Sequence, residues 1–410
     1  MRSRTVNRPH GAVRHYASLL GPNMAAVAPA MLERDVGRRI LRLSASGSDS
    51  VRRRLRSNRP RMRALQAAPG GKLRWKDVPA PAPPGPDGAI VHPIAIATCD
   101  IDCPLAMGML QMPLPLHLGH ECVAEVQAVG ERVQSIKPGE LVVVPYEVSC
   151  GSCPACKAGF TASCTSVPPV SAFGMGVATG HFGGAYSDLL GVPYAEAMLV
   201  PLPEGVDPTA AASVADNMCD AYRHIAPHLP ALLRRDPQAE VLILGSLHRR
   251  SAFGASLPLY CALIAGALGA RKVLLVDARA RVRRHAEQLG IESVEPKALR
   301  RRPRAPLVVD ASVVDLGRAL ATTAPDGICT SSGSLHRAAT VPIAAAYVRK
   351  VTLHVGRTSA RPLMPQVLAL ISSGALAPER VTSTLASLDE APRALSEHFR
   401  AGGTKAVLTA

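Results

Sequence analysis

The sequence predicts an α/β protein in which a β-rich domain is joined to a doubly wound parallel sheet. Three observations carry that reading. From Met62 onward, short β-type stretches alternate with Pro- and Gly-rich punctuation. After about residue 210 the rhythm becomes strand, helix, strand, which is the pattern of a parallel sheet with helical crossovers. Four of the ten cysteines crowd into one loop, CGSCPACKAGFTASC, residues 150–164.

At 410 residues the chain is long enough for two or three domains with their own cores. Its longest apolar run, Leu257 to Ala270, is shorter than the roughly 20 residues that cross a bilayer, so no membrane segment is expected. The cysteines are diluted over a large protein and no export signal stands at the start. A reducing cytoplasm is therefore the expected compartment, where clustered cysteines bind metal rather than pair.

The net charge of +16 is lopsided. Residues 1–61 hold 14 Arg, no Lys and three acids, a net +11, which leaves +5 for the rest. This leader reads as a disordered polycation, an Arg-rich transit segment or an upstream translation artefact ahead of Met62. Next come the β-type stretches AIVHPIAIAT (89–98), ECVAEVQAVG (121–130) and ELVVVPYEV (140–148). Further on lie VLILG (241–245), an apolar helix through Ala270, VLLVD (273–277), the helix ARARVRRHAEQLG and PLVVD (306–310).

Cys150, Cys153, Cys156 and Cys164 lie in a loop rich in Gly, Ser and Pro, and four thiolates make a complete tetrahedral shell for zinc. A complete shell leaves no open position, so the expected role is structural; zinc ribbons that bind nucleic acid share the feature. Upstream, Cys99 ends a strand and His120 and Glu121 follow Gly119. A thiolate and an imidazole suit a catalytic zinc, which takes three protein ligands and keeps one position open. By themselves they read by default as a buried cysteine and a hydrogen-bonded histidine.

In this order, followed by a nucleotide-type α/β unit, the two motifs resemble the zinc-dependent medium-chain dehydrogenases, the alcohol dehydrogenase family. The resemblance runs from about Met62 to Ala410 and is carried by GHECVAEVQAVGERVQSIKPGELVVV and the cysteine lobe. It implies a β-rich, GroES-like catalytic domain over 62–210, completed by 346–410 with KAVLTA as its final strand, around a Rossmann domain over 211–345. It also implies Cys99 and His120 as zinc ligands and Glu121 as the acid beside the metal. The third ligand is Asp216, six residues before Tyr222, with Cys219 as the alternative. Asp102 matches an acid that orients the zinc-bound histidine. Two zincs per chain follow, with hydride transfer between an alcohol, or polyol, and a nicotinamide cofactor, and a homodimer or homotetramer as the assembly.

The sequence also departs from that family. Ile101 and Pro104 stand where relatives relay a proton, and Asp100 stands where some keep an Arg for the cofactor's pyrophosphate. The dinucleotide turn wants G-x-G-x-x-G. Here Gly245 suits the turn and Gly254 the close approach, but Pro258 replaces the last glycine and HRRSAF looks inserted, with Arg249 and Arg250 as alternative phosphate partners. Asp277, ending the second strand, favours NAD by binding ribose hydroxyls, whereas Arg279 points toward NADP. Asp310 ends a later strand, and GSLH (333–336) falls where the family's nicotinamide loops run. Two alternatives stay open: a relative that keeps its structural zinc without turning over, and a zinc-ribbon nucleic-acid binder, against which stand a nearly neutral body and 3% aromatic residues.

Overall fold

The computed structural model describes residues 59–110, 112–313, 315–333 and 340–410. The Arg-rich leader through residue 58, and residues 334–336 of the GSLH stretch, lie outside the described residues. Among the described residues eight strands lie N-terminal to residue 202: β1 (Arg61–Ala68), β2 (Lys72–Pro79), β3 (Ala89–Ala97), β4 (Leu116–His117), β5 (Glu121–Val129), β6 (Leu141–Val144), β7 (Leu190–Val192) and β8 (Val200–Pro201). Six follow in strand–helix alternation: β9 (Glu240–Leu244), β10 (Lys272–Val276), β11 (Glu292–Val294), β12 (Ala305–Asp310), β13 (Thr323–Ser331) and β14 (Thr352–Val355). The last two are β15 (Thr384–Ser387) and β16 (Ala406–Thr409).

These strands form three sheets. A small one has the order β2-β1-β4, and Arg61, counted with the leader in the sequence, opens its first strand opposite Pro79. The second runs β15-β16-β3-β5-β6-β8, with β7 also paired to β3, so the last strand of the chain lies antiparallel beside β3. Pro93 sits inside β3, where it has no N–H to give; the register slips between Pro93 and Ala95, a bulge that accommodates it.

The third sheet is wholly parallel, in the order β11-β10-β9-β12-β13-β14. Its two faces are both buried: Leu242, Leu244 and Val308 pack on one side, and Val241, Ile243, Leu307 and Val309 on the other. That explains why its strands read as unbroken apolar runs. The α/β class expected from the sequence is the one observed. Four helices matter below: α1 (Asp102–Ala106), α2 (Asn217–Ile225), α3 (Ser256–Ala267) and α4 (Ala280–Gln288). Helix α3 is apolar on nearly every side and buried accordingly. It begins just beyond the carboxyl end of β9, beside the point where the strand order reverses between β9 and β12. In open α/β sheets that is where the ligand crevice lies. Among the described residues no helix is long and apolar enough to cross a membrane.

Candidate active site

Three distant segments bring Cys99, His120 and Asp216 together. Cys99 follows β3, and Asp216 immediately precedes α2. His120 precedes β5 directly after Gly119, whose φ of 98° and close approach to the Tyr186 amide exclude a side chain there. Pairing of β3 with β5 sets Ala97 opposite Glu121, which holds the two strand ends, and so Cys99 and His120, in register. Cys99 Sγ lies 3.3 Å from Asp216 Oδ2, and His120 Nε2 lies 3.4 Å from the same oxygen. Ligand atoms of Cys99, His120, Glu121 and Asp216 all fall within 4.8 Å of one another.

These separations suit a shared cation. Ligands about 2.0–2.3 Å from zinc in a tetrahedron stand about 3.3–3.8 Å apart. Both nitrogens of His120 are buried without a hydrogen-bond partner, a costly state for an imidazole unless something outside the chain satisfies it. Burial alone would lower the His120 pKa, but Asp102, Asp216 and Glu121 outweigh it and raise it to about 9. Burial pushes the Cys99 thiol well up, and the nearby carboxylates push it further. A cation among these groups reverses that cost and draws off the thiol proton. The donor set of sulfur, nitrogen and carboxylate oxygen, with no further ligand required, fits zinc.

The surrounding residues hold this set in place. Asp102 accepts from the Cys99 amide at 2.8 Å through Oδ2, and its Oδ1 stands 3.7 Å from His120 Nδ1, facing the histidine without a hydrogen bond. Glu121 accepts from Ser213 Oγ at 2.6 Å, from the Asn217 amide at 3.3 Å and from Lys405 Nζ at 2.9 Å. Burial, opposed by Lys405, pushes the Glu121 carboxyl up to about 7. Lys405, wholly buried, also donates to the Thr98 carbonyl. Cys219 is buried in α2 and lies outside the ligand cluster.

Sequence reasoning missed Lys405, Ser213 and Asn217. For Lys405 a signal existed: a lone lysine heads the apolar stretch of β16, as Glu121 heads that of β5. A charge at the mouth of a buried strand needs a partner.

The second cluster is formed by Cys150, Cys153, Cys156 and Cys164, whose sulfurs all fall within 4.8 Å of one another. Backbone amides of Cys150 and Cys153 donate to the sulfurs of Cys164 and Cys150, each at 3.4 Å. Such N–H···S bonds favour thiolates. Hydrogen bonds from Thr165, then Cys156, bring the Cys153 thiol down to about 5. None of the ten cysteines is in a disulfide.

At the dinucleotide end the acids and glycines named from the sequence are already engaged within the chain. Gly245 closes β9 so tightly on β10 that a Cβ there would strike the Asp277 carboxylate, and Gly254 lies as closely against Asp100. Asp277 accepts from the Ser246 amide at 3.1 Å and forms a buried ion pair with Arg279 at 2.7 Å. Asp100 accepts from the first amides of α3, Ser256 at 2.9 Å and Leu257 at 3.0 Å. Arg249 and Arg250 are exposed. Asp310 is buried and accepts from Ser331 Oγ at 2.8 Å.

Residues 85–204 match the alcohol dehydrogenase GroES-like domain. The chain is 30% identical over 343 residues to a probable zinc-binding alcohol dehydrogenase of Mycobacterium tuberculosis, covering 81% of this chain and 84% of that protein. This chain belongs to the zinc-type medium-chain dehydrogenase/reductase family. It is an oxidoreductase of that family, which overturns the zinc-ribbon nucleic-acid alternative. An alcohol dehydrogenase from Thermus sp. ATN1 superposes with a TM-score of 0.75 at 29% identity, over 85% of this chain and 99% of that one. A zinc-binding dehydrogenase from Sinorhizobium meliloti, solved bound to NADP, shares the fold with a TM-score of 0.68 at 22% identity, over 86% and 100%.

Proposed function

We propose that this zinc-type oxidoreductase interconverts a small alcohol or polyol and its carbonyl form at Cys99, His120 and Asp216, with a second, structural zinc in the Cys150 lobe. The observation that carries the proposal is the convergence of those three donors around a histidine whose buried nitrogens have no hydrogen-bond partner among the described residues. A bound zinc supplies Lewis acidity toward an alcohol or carbonyl oxygen. Cys99 and Asp216 line a cavity of about 210 Å³, and His120 is buried beside them. The volume is below the roughly 300–1,000 Å³ of pockets for drug-sized ligands, so the substrate is small.

The cavity wall is apolar along Ile101, Leu105, Leu110 and Met175. Opposite lies a polar corner in which Arg223 Nε donates to Asp220 Oδ1 at 2.5 Å and to Thr358 Oγ1 at 3.0 Å. That corner suits a substrate with a second hydroxyl beyond the reacting one. Ile101 gives the wall no route for a proton, and Glu121, tied to Ser213 and Lys405, is a buried carboxylate with an oxygen within 4.8 Å of the three donors.

NAD is the hydride acceptor expected from Asp277, with NADP the alternative. The first amides of α3 and the Asp277 carboxylate do not fit a dinucleotide as they stand, because their hydrogen bonds are used within the chain. That same observation favours a second reading, a relative that keeps zinc without turning over. The deciding experiment incubates zinc-loaded full-length chain with small alcohols and polyols and an excess of NAD or NADP, and identifies carbonyl product by mass spectrometry. Product from the parent and its loss in Cys99→Ala are the expected results. Product undiminished in Cys99→Ala contradicts the proposal, and zinc retention without product from any substrate favours the second reading.

A further inference from the structure

We propose that Asp100 is a built-in occupant of the dinucleotide seat: its carboxylate sits on the first amides of α3, where a cofactor diphosphate would bind, and a dinucleotide enters only by displacing it. The first turn of a helix after the first strand of such a sheet is an anion site, made by unpaired N–H groups and the positive end of the helix dipole. In α3 those groups are taken. The Ser256 amide donates to Asp100 Oδ1 at 2.9 Å, the Leu257 amide to Oδ2 at 3.0 Å, and the Ser256 hydroxyl to Oδ1 as well. The local cap residue, Ala255, has no side-chain acceptor, so the cap comes from a residue 156 positions away in the chain. Two anions cannot share one set of donors.

A second contact network points the same way. Arg279 holds Asp277 through Nε at 2.9 Å and Nη2 at 2.7 Å, with both side chains buried, so the carboxylate that would read the ribose is already paired. Its Nη1 donates to the Phe253 and Gly254 carbonyls at 2.8 and 3.0 Å, and the Gly254 amide donates to the Asp100 carbonyl at 2.9 Å. Asp277, Arg279, Gly254, Asp100 and the start of α3 are thus one connected latch. The close approach that Gly254 permits is spent on Asp100, since a Cβ there would strike its Oδ1. The cavity beside Cys99 is bounded at this end by Asp100, Phe253, Gly254 and Leu257.

When only a fraction of molecules is open, apparent affinity falls by that fraction, and weakening the latch recovers it. The test is calorimetric binding of NADH and NADPH to zinc-loaded full-length protein, wild type against Asp100→Asn, with zinc content measured alongside. Asn keeps the shape but removes the charge and places an amide against N–H groups. The expected result is weak binding by the wild type and at least about tenfold tighter binding by the variant, with zinc content unchanged. Should that variant fail to fold, Asp100→Ser keeps a neutral acceptor for the helix amides and is expected to show the same gain. A merely structural cap would lower the melting temperature and leave affinity alone. Equal or weaker binding by the folded variant, or micromolar binding by the wild type, overturns the proposal. The zinc centre is judged separately, by the metal content of the wild type.

Discussion

Lys405 and Glu121 form an ion pair with both side chains wholly buried, 2.9 Å apart, directly behind the candidate zinc ligands. At an effective dielectric of about 20 their attraction is about 6 kcal/mol, against a desolvation cost of several kcal/mol for each ion. The intact pair is therefore close to neutral, but half of it is not. Lys405→Met keeps most of the stem volume and strands Glu121 with only Ser213 and the Asn217 amide as donors. The loss from such a change is about 3–5 kcal/mol. Urea unfolding followed by the fluorescence of the single tryptophan, Trp75, reads it, because Trp75 Nε1 donates to the Asp389 carbonyl, packing β2 against the C-terminal segment that carries Lys405. Adding Glu121→Gln to Lys405→Met removes the stranded charge and is expected to recover part of the loss. Lowering the pH should shrink the single-variant deficit, since Glu121 then takes up a proton. A cost below about 1 kcal/mol for Lys405→Met, or a double variant worse than the single one, refutes the reasoning.

Three further outcomes are expected. Cys156→Ser should remove one metal from the Cys150 lobe while the Cys99 centre keeps its own, read by metal analysis of the purified variant. Asp102→Ala frees the Cys99 amide and the face of His120, and should weaken zinc binding at that centre by about 10–100-fold in a chelator competition; unchanged affinity would deny Asp102 an orienting role. Burial pushes Glu147 up to about 7, against donation from Thr161 Oγ1 at 2.7 Å and the Arg361 amide at 3.1 Å. A carboxyl that holds its proton more tightly when folded adds stability below its unfolded pKa of about 4.5 and loses it as pH rises through about 7. Glu147→Gln should flatten that decline, worth about 3 kcal/mol, in melting curves taken across the range; a slope identical to wild type would count against the assignment.

The parallel sheet was legible because its strands are buried on both faces: VLILG, VLLVD and PLVVD have no polar face to disguise them. The cysteine lobe was legible because ligand spacing in a loop is local information. Cys99, His120 and Asp216 could be grouped as a candidate centre only through resemblance, since their meeting depends on pairing between β3 and β5 and on where the chain enters α2, over separations of up to 117 residues. Lys405 and Ser213 escaped for the same reason. Asp100 was legible as an anomaly, an acid where a cation was expected. Its partner was not, because a cap supplied from a distant segment leaves no trace near the helix it caps.

Metal stoichiometry of the purified full-length chain, with Cys99→Ala and His120→Ala beside it, tests the central claim most directly. Two zincs per wild-type chain, falling to about one in either variant with the melting profile of the cysteine lobe retained, is the result the geometry predicts. One zinc in the wild type, unchanged in both variants, would contradict it.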